Sequence, residues 1–159
     1  MLDIFLNRFN KIKGVVAILI FPEIDKKKTK TNAKKTLNMY TRLIRLARTA
    51  SIPKITSDYY FTVEETWGRT IHGDVDIELE LKNIVQGINK LDLFERRLIY
   101  DRFIHKKETN IALYLKYHIS ESKFYRELDK ALLHFAEAYE GGQLLARRKD
   151  KREIFIKES

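Results

Sequence analysis

Between Leu91 and Tyr139 the apolar residues recur at helical spacing, and no other stretch limits the fold so tightly. In LDLFERRLIYDRFIHKKETN, Leu98, Ile99 and Phe103 fall on one side of a helix predicted over Leu91 to Ile104. A shorter, partly apolar helix is predicted over Glu108 to Tyr117. The pattern then breaks as a turn near Lys116 to Ile119. Ser120 stands where a capping residue belongs, because its hydroxyl can accept from a free first-turn amide. Beyond it Phe124, Leu128, Ala131, Leu132 and Phe135 form one apolar stripe, which is core before it is anything else. Glu140-Gly141-Gly142 closes that helix, as glycines commonly do.

The other side of the last helix carries the functional expectation. Around its first turns stand Ser120, Ser122, Lys123, Tyr125, Arg126 and Lys130. They are short polar, basic and aromatic donors at a helix start. When such a helix follows a short helix and a turn, this end enters the major groove of double-stranded DNA. Arg126 suits a bidentate pair to guanine, while Lys123 and Lys130 suit phosphates. The plain alternative is a surface helix with ordinary polar decoration. The short helix and turn before it favour DNA.

Charge points the same way without naming the polyanion. Lysine and arginine total 31 against 22 acids in 159 residues, a net charge of +9, which draws nucleic acid or an acidic membrane. A hydrophobic share of 44% allows a packed core. The absence of cysteine removes disulfides, thiolate zinc and thiol nucleophiles, and fits a reducing cytoplasm. His72, His105, His118 and His134 include no i, i+4 pair of the kind that holds zinc on a helix.

The chain before Leu91 reads in pieces. Residues 1–21 form an apolar segment in which VVAILIF is far too short to span a bilayer. The codons of Lys13-Gly14-Val15 can contain the purine-rich run AAAGGAG, which resembles a ribosome-binding site, and Leu19 can be TTG, an alternative bacterial start, so translation starting near Leu19, with a leader before it, is one expectation. Residues 22–52 form a basic region. Asp25 to Arg48 reads as one long helix with Ala33, Leu37, Tyr40, Ile44 and Ala47 on its apolar stripe. Cations crowded at a helix start oppose the macrodipole, which suggests an anionic partner, with a merely solvated face as the alternative. Lys27, Lys30, Lys34 and Lys35 are the candidate DNA-backbone contacts there. Residues 53–73 form an extended segment, ITSDYYFTV, and a linker containing Trp67. In residues 74–140 the helical domain opens at Asp74 to Leu91. Ile77, Leu81, Ile84 and Ile88 favour a helix there, whereas VDIELEL as a strand would put Asp74, Asp76, Glu78 and Glu80 on one face to hold a cation. Residues 141–159 form a charged tail.

These residues carry a resemblance. Leu91, Glu95, Arg96, Arg102 and Phe103, with Ser120 and Phe124, resemble region 4 of bacterial sigma factors. IFPEIDKKKT, the basic helix after it, and SESKFYRELDKALLHFAEAYEGG resemble the ArpU family, over roughly Phe21 to Leu145. That resemblance implies a phage or prophage regulator of late packaging and lysis genes in a Gram-positive host, acting in the bacterial cytoplasm. Two positions depart from a usual helix-turn-helix. Tyr114 stands where a small residue lets the helices meet, and His118 where the turn favours glycine.

The fold expected is therefore mainly α: a C-terminal helix-turn-helix bundle preceded by a long basic helix and a short extended segment. The expected activity is non-enzymatic, sequence-directed DNA binding with no cofactor, metal or membrane, and with RNA polymerase as a candidate partner. The alternative is a sigma-like adaptor working through protein contacts, with Leu133 and the apolar N-terminal run as partner surfaces. A nuclease built on the acids from Asp74 to Glu80 lacks a phosphate loop, a nucleophile and spaced histidines.

Overall fold

The computed structural model describes residues 23–62 and 69–149. The 1–21 segment, the start near Leu19, Trp67 and the tail beyond residue 149 lie outside them. The described chain falls into two units. In the smaller, Ile24 bridges Arg147 antiparallel, and the Asp25 amide donates to the Ala146 carbonyl at 2.8 Å. The larger, Lys26–Leu145, holds the core and is mainly α.

The predicted basic helix is two helices. α1 spans Lys26–Asn38 and α2 spans Tyr40–Leu46, parted at Met39. Met39 keeps right-handed helical angles (φ −71°, ψ −21°), so the helical phase passes through the break. Ala33, Leu37 and Tyr40 are buried, with Ile44 and Ala47 packed partly against them.

Two small hairpins follow. β1 (Lys54–Ile55) pairs with β2 (Phe61–Thr62), and β3 (Ile71–His72) with β4 (Val75–Asp76), both antiparallel. Asn89 fastens the first to the helices: its amide accepts from the Phe61 N–H at 2.8 Å and donates to the Phe61 carbonyl at 2.9 Å. In the second, Gly73 takes φ +61°, an angle a side chain resists.

α3 spans Ile77–Asn89. The alternation of VDIELEL is thus a short strand running into a helix. Asp76 caps α3 by accepting from the Leu79 amide at 3.2 Å. Glu78 accepts from the Thr70 hydroxyl and amide, and Glu80 from the Tyr139 hydroxyl. Asp76, Glu78 and Glu80 are thus spent on structure rather than sharing a strand face. Among the described residues no cluster of histidine and carboxylate could hold a metal ion. Glu78 shows the local field: burial pushes its carboxyl up, but the Thr70 hydrogen bonds outweigh that and hold it below the usual range.

α4 (Leu93–Ile99) is capped by Asp92, which accepts from the Glu95 amide at 2.8 Å, and it continues as a π-helical turn, Tyr100–His105. α5 spans Asn110–Lys116 and α6 spans Glu121–Ala138. The core gathers Leu37 of α1, Ile84 and Ile88 of α3, Leu98 and Ile99 of α4, Leu113 of α5, and Phe124, Leu132 and Phe135 of α6, all fully buried. α3 and α6 meet closely at Gly87, where an added Cβ would lie 3.0 Å from the Phe135 ring. Among the described residues no helix is long and apolar enough to cross a membrane.

Candidate nucleic-acid interface

The joint between α5 and α6 positions the α6 residues of the site. Thr109 caps α5 by accepting from the Ala112 amide at 3.2 Å. At its other end His118 adopts φ +55°. The His118 amide donates to the Leu115 carbonyl and the Ile119 amide to the Tyr114 carbonyl, both at 3.1 Å. This pair of bonds is a Schellman closure, which satisfies end carbonyls and reverses the chain within a few residues. Ser120 then accepts from the Lys123 amide at 3.2 Å and starts α6.

The two unusual residues are accommodated differently. Tyr114 is half-buried at the edge of the joint, its ring tilted on Phe124 at 6.0 Å, while Leu113 takes the core position. His118 bears a left-handed conformation that histidine tolerates better than most residues.

A buried polar knot ties the joint to α4. Asp101, 5% exposed, accepts from the Tyr117 hydroxyl. Arg97 and Lys116 each approach its carboxylate at 3.9 Å, and the Arg97 guanidinium lies over the Tyr117 ring at 4.6 Å. Burial, then the hydrogen bond to Asp101 and its charge, push the Tyr117 phenol well above its ordinary range. Lys116 donates to Glu108 at 3.0 Å; that bond, with the pull of Asp101, raises its ammonium despite partial desolvation.

On the outer side of α6, Ser122, Lys123, Tyr125, Arg126 and Lys130 are all exposed, beside the exposed cap Ser120. Tyr125 is held in place. Its ring meets Phe124 edge-on at 5.4 Å and its hydroxyl accepts from the Asn110 side chain at 3.3 Å, linking the starts of α5 and α6. Asn110 escaped sequence reasoning because its partner is fifteen residues away on another helix.

α1 packs on α6, and one of its lysines reaches that helix directly. Lys30 donates to Asp129 at 2.8 Å, so its charge is engaged within the protein. Lys27 and Lys34, three residues before and four after, share that flank of α1 and are exposed. Lys35 is exposed further round the helix, away from α6. Leu133 is half-buried rather than exposed, since its neighbours Leu132 and Ala136 pull that turn into the core. The large exposed hydrophobics nearby are Ile111 and Leu115 of α5, at 60% and 64%.

The chain is 28% identical over 138 residues to the "Putative autolysin regulatory protein ArpU" of Streptococcus phage O1205, covering 82% of this chain and 100% of that protein. It is 29% identical over 134 residues to the protein of the same name from Enterococcus hirae, covering 78% of this chain and 95% of the relative. No family model matches the chain. No solved structure matches it either.

Proposed function

We propose that this protein is a non-enzymatic regulator that binds double-stranded DNA in a sequence-directed way. α5, the Schellman turn and α6 act as a helix-turn-helix resembling sigma region 4, with α6 in the major groove. The observation that carries this reading is the exposed set Ser122, Lys123, Arg126 and Lys130 on the first turns of a capped helix whose opposite side is fully buried. Arg126 reads a guanine edge, and Lys123 and Lys130 hold phosphates. Lys27 and Lys34 add backbone contacts from α1, whereas Lys30 serves by fastening α1 to α6 through Asp129. Similarity to regulatory proteins of phage and enterococcal origin supports a role in phage or prophage late-gene control, including lysis, in the bacterial cytoplasm.

Footprinting on the promoter upstream of the neighbouring genes, over a salt series, tests this directly. A protected site whose affinity falls linearly with log salt is expected. Equal protection of every sequence would remove the sequence-directed part, and no protection at low salt would remove DNA altogether.

A second reading has its own observation. Ile111 and Leu115, one turn apart on α5, form an exposed apolar pair that suits a protein such as RNA polymerase. Recovery of a partner from cells after nuclease treatment would favour an adaptor role over autonomous DNA binding.

A further inference from the structure

A cavity of about 250 Å³ lies between α2, the first hairpin and the π-helical turn. Tyr40, Pro53 and Phe61 form a buried floor, whereas Ile44, Ile55, Tyr100 and Ile104 form a rim that is exposed or half-buried. Aromatic packing shapes the floor: the Phe61 ring lies edge-on to Tyr40 at 6.0 Å and tilted on Tyr100 at 6.4 Å. Tyr100 and Ile104 come from the π-helical turn, a distortion that is frequent where a helix serves a site. None of the described lining residues is charged; Thr41 and the two tyrosines supply its polar side chains.

Tyr40 is the polar group here without a structural use. It is 3% exposed, and among the described residues its hydroxyl has no hydrogen-bond partner. The fully sealed polar atoms without a partner among those residues are Ser51 Oγ and Arg97 Nε. The Tyr40 oxygen therefore still touches open space, and the cavity is the space this residue lines. Burial, then the nearby Tyr100 phenol, push Tyr40 up to about 12, so it is a neutral donor at ordinary pH. An unpaired phenol so deeply placed is unfavourable until an acceptor meets it.

We propose that this cavity binds a small, neutral, largely aromatic molecule whose hydrogen-bond acceptor meets the Tyr40 hydroxyl. An apolar cavity of about 150 Å³ holds benzene, so this one has room for two fused rings. A charged ligand finds no counter-charge in the lining. Water is a poor occupant, since Ile44, Pro53, Ile55, Phe61 and Ile104 offer it no side-chain hydrogen bond. The site draws on neither α5 nor α6, so it stands independently of the DNA reading.

The test follows the isoleucine methyl signals of the full chain during titration with quinoline, a neutral two-ring probe with one acceptor nitrogen. Ile44, Ile55 and Ile104 should shift together and saturate, with a Kd no weaker than about 1 mM. Tyr40→Phe should keep the parent's Tm, because that hydroxyl bonds nothing in the protein, and should bind quinoline about fivefold more weakly. Ile55→Trp, which fills the mouth, should abolish the shifts at Ile44 and Ile104. Quinoline-2-carboxylate should bind at least about tenfold more weakly than quinoline. Shifts that never saturate, that fall elsewhere, or that survive in Ile55→Trp would overturn the site. Parent-like affinity in Tyr40→Phe, or a lowered Tm, would overturn the role of the hydroxyl and the proposal with it. Equal binding of the carboxylate would overturn the neutral class of ligand. Quinoline binding that appears only after Trp67→Ala would also overturn the proposal, because the occupant would then be the chain's own indole.

Discussion

Lys30 and Asp129 join helices that are 99 residues apart in the chain, through a 2.8 Å ion pair at the edge of the α1–α6 contact. The pair has two consequences: it sets α1 beside the proposed DNA-reading helix, and it neutralises the lysine nearest to that helix. Both carboxylate and ammonium remain partly exposed, so the pair itself contributes only about 0.2–1 kcal/mol to stability. Its larger effect is on binding. Lys30→Ala should weaken duplex binding modestly, because it leaves the Asp129 carboxylate unmatched beside the phosphates. Asp129→Ala should tighten binding and steepen the log–log salt dependence by about one contact, as Lys30 is released toward phosphate. Binding titrations of both variants over a salt series check this; the reverse order would detach Lys30 from the interface.

Arg126→Ala and Lys123→Ala should fail in different ways. Both side chains are exposed beside the capped start of α6, but only the guanidinium can pair bidentately with a base. Loss of Arg126 should cost about 1–3 kcal/mol and relax preference at one base pair. Loss of Lys123 should weaken all sequences alike and flatten the salt slope by about one contact. Selection from a randomised site with each variant separates the two, and unchanged preference without Arg126 would move base reading off this face.

Much of this architecture was readable from periodicity. Phe124, Leu128, Ala131, Leu132 and Phe135 occupy the core as their spacing required, and Ser120 caps α6. Local chemistry also told α3 from a strand, because Ile77, Leu81, Ile84 and Ile88 step at helical intervals whatever the alternation of the first residues. What escaped was decided by partners distant in sequence. Nothing in FYRELDK announces that Asp129 meets Lys30, and nothing near Tyr117 announces a buried carboxylate at position 101. The part at Met39 and the π-helical turn after Ile99 were equally silent, since helical spacing runs through both. Leu133 misled because an apolar residue at the edge of a stripe reads as exposed when only its own helix is considered.

His118 offers a test of the joint itself. A residue with a side chain costs roughly 1–2 kcal/mol in the left-handed region, while glycine adds about 0.4–1 kcal/mol of unfolded-chain freedom. With φ at +55°, His118→Gly should therefore stabilise the fold, by less than about 1 kcal/mol. His118→Val should destabilise it, since a β-branched side chain is least tolerant there. Denaturant midpoints for the two variants should move in opposite directions. A stabilising valine would mean that the turn does not hold this conformation.

Three phenols make stability sensitive to alkali. Burial, followed by the charge of Tyr100, pushes Tyr40 up to about 12. Tyr139 is pushed well above its ordinary range by burial and by its hydrogen bond to Glu80, and Tyr117 by burial and Asp101. Each group binds its proton more tightly in the folded chain than in the unfolded one. Its contribution is thus complete below the ordinary phenol value of 10 and is lost as pH rises from there toward the folded value. Unfolding free energy should be flat with respect to these groups up to that pH and fall above it. Tyr117→Phe should shallow the alkaline slope while removing the hydroxyl that satisfies Asp101, leaving a buried carboxylate short of a donor. That variant should be destabilised at neutral pH by about 1–3 kcal/mol. Denaturant titrations at neutral and alkaline pH separate the two effects. An unchanged slope in Tyr117→Phe would show that this phenol ionises as freely in the folded chain as in the unfolded one.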